Sequence, residues 1–403
     1  MPIYQYEAKT LQGNILKGTM EAIDENTVRS NLREKSYYPQ NVKVYNEALN
    51  VDLSKYAKVP LKSIAIFCRQ FSFTLSAGMN ILKSMDVVTE QTENKKLKSI
   101  LRSIKTDLEK GSSLSESMKK NKEMPEMLVN MVEVGESSGN LDNVMIRMAD
   151  YYDNSYKLNK KIKGSLTYPG MIAVVSVIVV NLLVIFVLPT FVGMITSSGG
   201  ELPLPTRIVM RISNFMGKYG LILLLGTILL IILFRMYIKA NDEIAEEIDR
   251  TKLKIPIFGQ IFKQIDTARF ARTFSTLMSS GMPVLSSIDI CSRVADNILI
   301  KNVLRNTSED IRKGSSIGMS LEAQGVFPTM LTQMIVIGEE TGTLDSIMEK
   351  TAQFYDNEVE TATQQLSSLI EPVIIVVLAV VVGFIVIAML LPMFSMYDAI
   401  SNT

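Results

Sequence analysis

Few residues of this chain are arranged to do covalent chemistry. Histidine, the commonest acid–base group and metal ligand, is absent from all 403 residues. Gly13-Asn14-Ile15-Leu16-Lys17-Gly18-Thr19 has the glycine spacing of a phosphate loop. It lacks the lysine that reaches the phosphates, and it falls between expected strands rather than ahead of a helix. No Gly-x-Ser-x-Gly elbow, dinucleotide fingerprint or cluster with metal-ligand spacing is present. Glu339-Glu340 is an acidic pair, but neighbours on a helix point about 100° apart. Cys68 and Cys291 do not match each other in the repeat described below and read as small core residues. We therefore expect no enzyme, no cofactor and no metal.

The residues that stand out do so by recurring. Arg69-Gln70-Phe71-Ser72, with Ser76-x-Gly78-Met79, returns 203 residues later as Arg272-Thr273-Phe274-Ser275, with Ser279-x-Gly281-Met282. The register holds without a gap through Lys110-Gly111-Ser112-Ser113 and Lys313-Gly314-Ser315-Ser316, Pro125 and Pro328, Pro169 and Pro372, and Pro189 and Pro392. A unit of this length is a domain, well above solenoid periods.

Each copy carries one polar constellation, Gly135-Glu136-Ser137-Ser138-Gly139-Asn140-Leu141-Asp142 and Gly338-Glu339-Glu340-Thr341-Gly342-Thr343-Leu344-Asp345. Gly139 and Gly342 suit a left-handed helix end. Asn140 and Thr343 suit the cap of the next helix, and Asp142 and Asp345 favour its first-turn dipole. Glu136 and Glu339 are the anomaly, because a carboxylate near a helix C-terminus is electrostatically unfavourable. The amides of the next helix, an arginine, a cation or a partner would compensate it. Arg69 and Arg272, on the first helix of each copy, are natural candidates for the arginine.

The elements that position these joints are helical. Ile64, Phe67, Phe71 and Leu75 form an amphipathic stripe, and Gly78 and Gly281 end the first helix of each copy. Ser113-x-x-Glu116 is a capping box, and Pro125 and Pro328 suit a first helical turn. Each copy reads as an up-and-down bundle of about six helices. Residues 3–46 differ: Ile3–Ala8 and Asn14–Met20 read as strands around the turn Gln12-Gly13, followed by a helix from Asp24 to Lys35, a break at Tyr37-Tyr38-Pro39, and a strand from Asn41 to Tyr45.

Three runs are apolar enough to span a bilayer. Gly170–Leu188 and Val373–Leu391 carry no ionisable side chain, and Gly220–Ile238 carries only Arg235 near its end. Each is about 28 Å long as a helix. The last helix of each copy runs into the membrane, with Pro169 and Pro372 kinking it at the water–lipid boundary. Ile208, Ile212, Phe215 and Met216 share a face flanked by Arg207, Arg211 and Lys218, which reads as an interfacial helix. Asn181 is expected to bond to a neighbouring span. Lys157, Lys160, Lys161 and Lys163 before the first run, and Arg235, Lys239, Arg250, Lys252 and Lys254 after the second, place the N-terminus inside and the C-terminus outside. No secretory signal opens the chain. Its formal charge of +1 gives no basis for nucleic-acid binding.

The expected fold is a mostly α integral membrane protein with two homologous cytoplasmic six-helix bundles, three transmembrane helices and a small N-terminal β-containing module. The expected plan is that module over 1–50, a linker over 51–60, bundle 1 over 61–168, and spans over 169–191, 220–238 and 372–392. An extracytoplasmic loop covers 192–219, bundle 2 covers 239–371, and an extracytoplasmic tail covers 393–403.

This arrangement resembles the inner-membrane platform family of type IV pili and type II secretion, PilC and GspF. The resemblance covers essentially the whole chain. It rests on Tyr4-x-Tyr6-x-Ala8 with Gly13 and Gly18, on Phe67-Cys68-Arg69-Gln70 to Gly78, and above all on the doubled Gly-Glu-x-[Ser/Thr]-Gly-x-Leu-Asp. It implies a scaffold between a cytoplasmic hexameric assembly ATPase and membrane-held, pilin-like single-span proteins. ATP-driven motion would turn or rock it so that pilins enter a filament. Other membrane assembly components, membrane lipid and further copies of the chain are the remaining implied partners. Thr273 stands where the first copy has Gln70, so the arginine–glutamine pair is not duplicated. A membrane-tethered adaptor shares this domain plan. A transporter or permease component also uses internal repeats, but here no ionisable group stands at bilayer depth.

Overall fold

A computed structural model describes residues 2–9, 15–34, 37–44, 58–197, 203–256 and 258–401. The turn Gln12-Gly13, Tyr45, most of the linker, residues 198–202 of the loop and the last two residues lie outside the described residues. The chain divides into two units, Met1–Lys58 and Val59–Thr403.

The first unit is a three-stranded antiparallel sheet with one helix. Its strands are β1 (Ile3–Lys9), β2 (Ile15–Glu21) and β3 (Tyr38–Val44), in the order β2-β1-β3, and α1 (Glu25–Glu34) lies between β2 and β3 in sequence. Tyr6 pairs with Gly18 across β1 and β2. A Cβ at Gly18 would stand 2.8 Å from the Tyr6 ring, so the glycine is there to seat the aromatic. Tyr4, Ala8, Val28, Leu32 and Val42 close a small core. The segment Tyr37-Tyr38-Pro39 does end the helix, but Tyr38 and Pro39 belong to β3. An edge strand tolerates a proline, and the register shifts between Glu7 and Ala8, where Ala8 faces Pro39. Ile15 to Thr19 lie in β2, which removes the phosphate-loop geometry.

In the second unit the first copy comprises α2 (Leu61–Ser76), α3 (Ile81–Gln91), α4 (Lys95–Glu109), α5 (Leu114–Lys119), α6 (Glu126–Ser138) and the long α7 (Leu141–Leu182). A wider π-helical turn, Leu183–Val187, continues α7 into α8 (Leu188–Ser197). After α9 (Leu204–Ala240) and α10 (Asp242–Lys254), the second copy follows as α11 (Phe258–Ser279), α12 (Val284–Val294), α13 (Ile298–Arg312), α14 (Ile317–Gln324), α15 (Thr329–Thr341) and α16 (Leu344–Ser401). The helix starts follow from local chemistry. Asn80, Asn94 and Asn297 cap α3, α4 and α13 by accepting from backbone N–H groups, and Ser113 and Glu116 form a reciprocal capping box on α5.

The copies agree down to ring geometry. Phe67 and Phe71 stack at 5.7 Å, as do Phe270 and Phe274. The two sets of helices do not form separate cores. Phe67, Phe71, Met131 and Met148 belong to one continuous buried cluster with Phe274, Leu277, Leu331 and Met348. Each such side chain contributes about 1.5–3 kcal/mol by leaving water. Cys68 and Cys291 are free and buried within it, and burial pushes both thiols far above their ordinary range.

Among the described residues, two helices are long and apolar enough to cross a membrane, Leu141–Gly193 and Leu344–Leu391. Both grow out of the large buried cluster without a break. Pro169 and Pro372 lie inside these helices. The second apolar run belongs to a bent pair, Leu204–Gly220 and Leu225–Ile238, with 66° between the halves. The expected interfacial helix is thus the first half of α9. Its Ile208, Ile212 and Phe215 face outward, while Val209 packs with Val184, Leu188, Val192, Ile385 and Ala388. Ser213 donates to the Val184 carbonyl at 2.9 Å, and Thr206 donates to that of Ala388. Val184 lies in the π-helical turn, where a carbonyl released from the regular ladder takes an outside donor. Asn181 bonds within its own helix, donating to the Val177 carbonyl at 2.7 Å, rather than to a neighbouring span. Its local acceptor satisfies the amide without a partner helix.

Candidate functional site

The two glutamate joints are built alike. α6 ends at Gly139 with φ +67°, and α15 ends at Gly342 with φ +68°, the left-handed region that a Cβ disfavours. Asn140 N–H reaches back to the Gly135 carbonyl at 3.0 Å, and Thr343 N–H to that of Gly338 at 3.1 Å. Four residues before each C-cap, Gly135 and Gly338 let the next helix come close. A Cβ on either would stand 3.1 Å from the Cα of Leu141 or Leu344. The Gly-Glu dipeptide is therefore a packing requirement followed by a polar one.

The polar requirement is met by the N-terminus of the short helix immediately before α6 or α15, which is α5 in the first copy and α14 in the second. The Glu136 carboxylate accepts from Leu114 N–H at 2.7 Å and Ser115 N–H at 2.9 Å, and from the Ser115 hydroxyl. Glu339 accepts from Ile317 N–H at 2.7 Å, Gly318 N–H at 3.0 Å and the Ser316 hydroxyl at 2.7 Å. A carboxylate that opposes its own helix dipole is compensated by another helix whose positive end points at it. Only the hydroxyl donor changes place between copies, because Gly318 stands where the first copy has Ser115.

The arginines take no part in this. Arg69 pairs with Asp150 at 2.9 Å, near the surface. Arg272 pairs with Asp356, both half-buried. They lie on the side of α2 and α11 that faces α7 and α16, so the expected Arg–Glu pairing is replaced by pairing with acids one helix away. Gln70 is half-exposed, whereas Thr273 is buried and shares a hydrogen bond with the Tyr151 hydroxyl at 3.2 Å. Gly78 and Gly281 close α2 and α11 with φ +81° each. Asp142 and Asp345 stand in the first turns of α7 and α16, and their backbone carbonyls accept from Ser72 at 2.9 Å and Ser275 at 3.2 Å. Those two serines, repeated in sequence, bolt the first helix of each copy to the joint. Repetition of a buried hydroxyl was the signal available for them. Asn140 makes no side-chain cap; its oxygen accepts from the Asn143 amide. Pro169 is buried and Pro372 exposed.

Among the described residues, no three or more His, Cys, Asp or Glu side chains are placed to hold a metal ion. The arrangement can hold helices in fixed register; its carboxylates are already occupied by backbone donors.

The family model for type II secretion system protein F matches residues 67–189 and again 270–392, and that for its N-terminal domain matches residues 1–43. The chain belongs to the type II secretion system protein F family. The two matched segments stand at the same spacing as the internal repeat. Over its whole length the chain is 35% identical to a type IV pilus assembly protein PilC of Thermus thermophilus, covering all of that protein. It is 34% identical to a PilC of Pseudomonas aeruginosa over 93% of this chain and 99% of that one. It is 30% identical to a type II secretion system protein F of Vibrio cholerae, with both chains fully covered. The two matched segments each include one joint and one of the uncharged apolar runs, Gly170–Leu188 and Val373–Leu391.

Proposed function

We propose that this chain is the inner-membrane platform of a type IV pilus or a related filament or type II secretion machine. It couples a cytoplasmic hexameric assembly ATPase to the movement of pilin-like single-span proteins into the filament. The observation that carries this reading is full-length similarity to proteins named for pilus assembly and for secretion, in a chain whose membrane-length helices are continuous with its soluble core. Its work is mechanical rather than chemical: hydrolysis belongs to the ATPase, and the chain acts as scaffold.

In this reading 61–168 and 239–371 are cytoplasmic bundles, 1–50 is an accessory module joined by 51–60, and 169–191, 220–238 and 372–392 span the inner membrane. The second span is carried by the second half of α9, and the first half of α9 belongs to the extracytoplasmic loop. Residues 192–219 and 393–403 lie outside the cytoplasm. Glu136, Glu339, Gly139, Gly342, Asp142 and Asp345 keep the joints rigid, so that force applied to the bundles reaches the spans. Lipid and other membrane assembly components surround the spans.

Crosslinking in native membranes, followed by mass spectrometry of what co-purifies with the tagged chain, tests this. Recovery of an assembly ATPase together with pilin-like proteins is the expected result. A preparation free of both, or a deletion strain with normal filaments and secretion, overturns it.

A further inference from the structure

The first half of α9 has three faces, and the rest of the chain covers one of them. Thr206, Val209 and Ser213 recur at i, i+3 and i+7 and form the buried face. Val209 packs with Val184, Leu188, Val192, Ile385 and Ala388, and the hydroxyls of Thr206 and Ser213 donate to carbonyls of α16 and of the π-helical turn. These contacts fix the rotation of the helix about its axis, and with it what the other two faces present. Ile208, Ile212, Phe215 and Tyr219 form a second stripe, all exposed, with the rings of Phe215 and Tyr219 5.4 Å apart. Arg207, Arg211 and Lys218, also exposed, form the third. Each stands one residue ahead of a member of the apolar stripe, and so about 100° round the helix from it. No acid occurs in Leu204–Gly220, nor in the segments packed on it, 180–192 and 385–389.

This half-helix sits at the far ends of the two membrane-length helices, away from the large buried cluster. An apolar stripe beside a basic one suits the depth at which acyl chains give way to headgroups. Water would leave four large apolar side chains uncovered, and hydrocarbon alone would leave the cations unsolvated. A phospholipid meets both stripes at once, with an acyl chain on Ile212 and Phe215 and its phosphate at Arg211 and Lys218. Those two residues stand seven positions apart on one face, about 10.5 Å of rise. A phosphate between them is within reach of both long side chains. The Lys218 ammonium already lies 5.5 Å from the centre of the Tyr219 ring, at the seam between the stripes. A choline or ethanolamine headgroup would bring a cation of its own against the basic stripe, whereas an anionic headgroup brings none. We infer that the first half of α9 selects an anionic phospholipid, with Arg211 and Lys218 taking its phosphodiester. The inference rests on the membrane placement of α9 and is independent of the platform role.

The chain has no tryptophan, so Phe215→Trp sets a single indole in the apolar stripe as a reporter. The full-length protein is reconstituted in phosphatidylcholine nanodiscs holding a minor fraction of brominated lipid, which quenches an indole on contact. Brominated phosphatidylglycerol should quench about threefold more than the same fraction of brominated phosphatidylcholine. That excess should be lost when Arg211→Gln and Lys218→Gln are added, while quenching by brominated phosphatidylcholine stays. It should survive Lys160→Gln with Lys163→Gln, which removes two exposed lysines at the opposite end of the first apolar run. Glycerol phosphate at matched ionic strength should not displace it. Equal quenching by the two lipids would overturn the selectivity and leave α9 in the bilayer. Quenching by neither would overturn the membrane placement itself, and the inference with it. An excess abolished by glycerol phosphate would show a site for free phosphate. One lost equally with Lys160 and Lys163 would show a general attraction to the chain, and either result overturns the inference.

Discussion

Tyr168 donates a hydrogen bond to Glu371 at 3.2 Å, and Glu371 holds Tyr168's own place in the second copy. Equivalent residues meet because α7 and α16 run side by side in the same direction. Lys161 pairs with Glu360, and Ser367 donates to the Ser165 carbonyl, along the same seam. A duplicated helix laid against its twin would set like charge beside like charge, at a cost. The copies diverge here accordingly: α7 carries Lys157 where α16 carries Glu360. Of the acids ahead of the last apolar run, Glu360 is thus a partner for Lys161 of α7 and Glu371 for Tyr168. They weaken the charge asymmetry by which orientation is read from sequence.

Replacing Glu339 by glutamine should destabilise the second unit by about 1–3 kcal/mol, since a part-buried carboxylate–amide network loses its charge and one oxygen acceptor. Glu136→Gln should cost about as much. The sites are separate, so the double variant should show the sum within about 0.5 kcal/mol. Urea unfolding followed by circular dichroism in detergent checks this, and a double variant as stable as the native chain would refute the role given to the joints.

Gly135→Ala and Gly338→Ala test close approach rather than backbone freedom. Each new methyl would press on backbone of the next helix, at about 1–3 kcal/mol. Gly139→Ala and Gly342→Ala meet open space and should cost about 1 kcal/mol through their left-handed φ alone. Thermal midpoints of the four variants should therefore fall into two groups.

Arg69 and Arg272 occupy the same place in the two copies but differ in exposure, their side chains being 34% and 15% accessible. Arg69→Ala should change stability by under about 1 kcal/mol, as exposed pairs do. Arg272→Ala strands the half-buried Asp356 and should cost about 2–3 kcal/mol. Equal losses would count against the assigned pairs.

Asp266 on α11 is mostly buried, and burial raises its carboxyl to about 6, against a hydrogen bond from Asn297 that lowers it. A group whose pKa is higher folded than unfolded binds its proton more tightly in the folded state. The stability it gives is present below the unfolded value near 4 and is lost as pH rises through about 6. The full shift corresponds to about 3 kcal/mol. Asp266→Asn should therefore flatten the fall in thermal midpoint between pH 5 and 7 (about 1 kcal/mol or more of it). An unchanged pH profile would remove Asp266 from this account.

The duplication, the helix caps and the left-handed ends at Gly139 and Gly342 were legible in the sequence because each is set within a few residues. Pairing across space was not. The donors to Glu136 lie more than twenty residues earlier and are mostly backbone amides, which every residue possesses and no side chain announces. Arg69 and Arg272 were attractive partners on charge alone, but helix packing turned them toward Asp150 and Asp356. The single core escaped the reading because amphipathic stripes say that a face is buried, not which neighbour buries it. The seat of the first half of α9 was likewise not legible, because Thr206 and Ser213 are held by the carbonyls of Ala388 and Val184, which lie in other helices.

The 58 residues of α16 form one uninterrupted helix about 87 Å long. Such a rod is a lever arm. Turning its buried end by one degree about a fulcrum there would carry the far tip sideways by about 1.5 Å, so small rearrangements around Tyr355 and Val359 are magnified on the opposite side of the apolar run. Along that arm Pro372 and Pro392 each lack the amide donor of a regular turn. In the proposed platform, a rotation imposed at the buried end would be carried along this single rod to the far side of the apolar run.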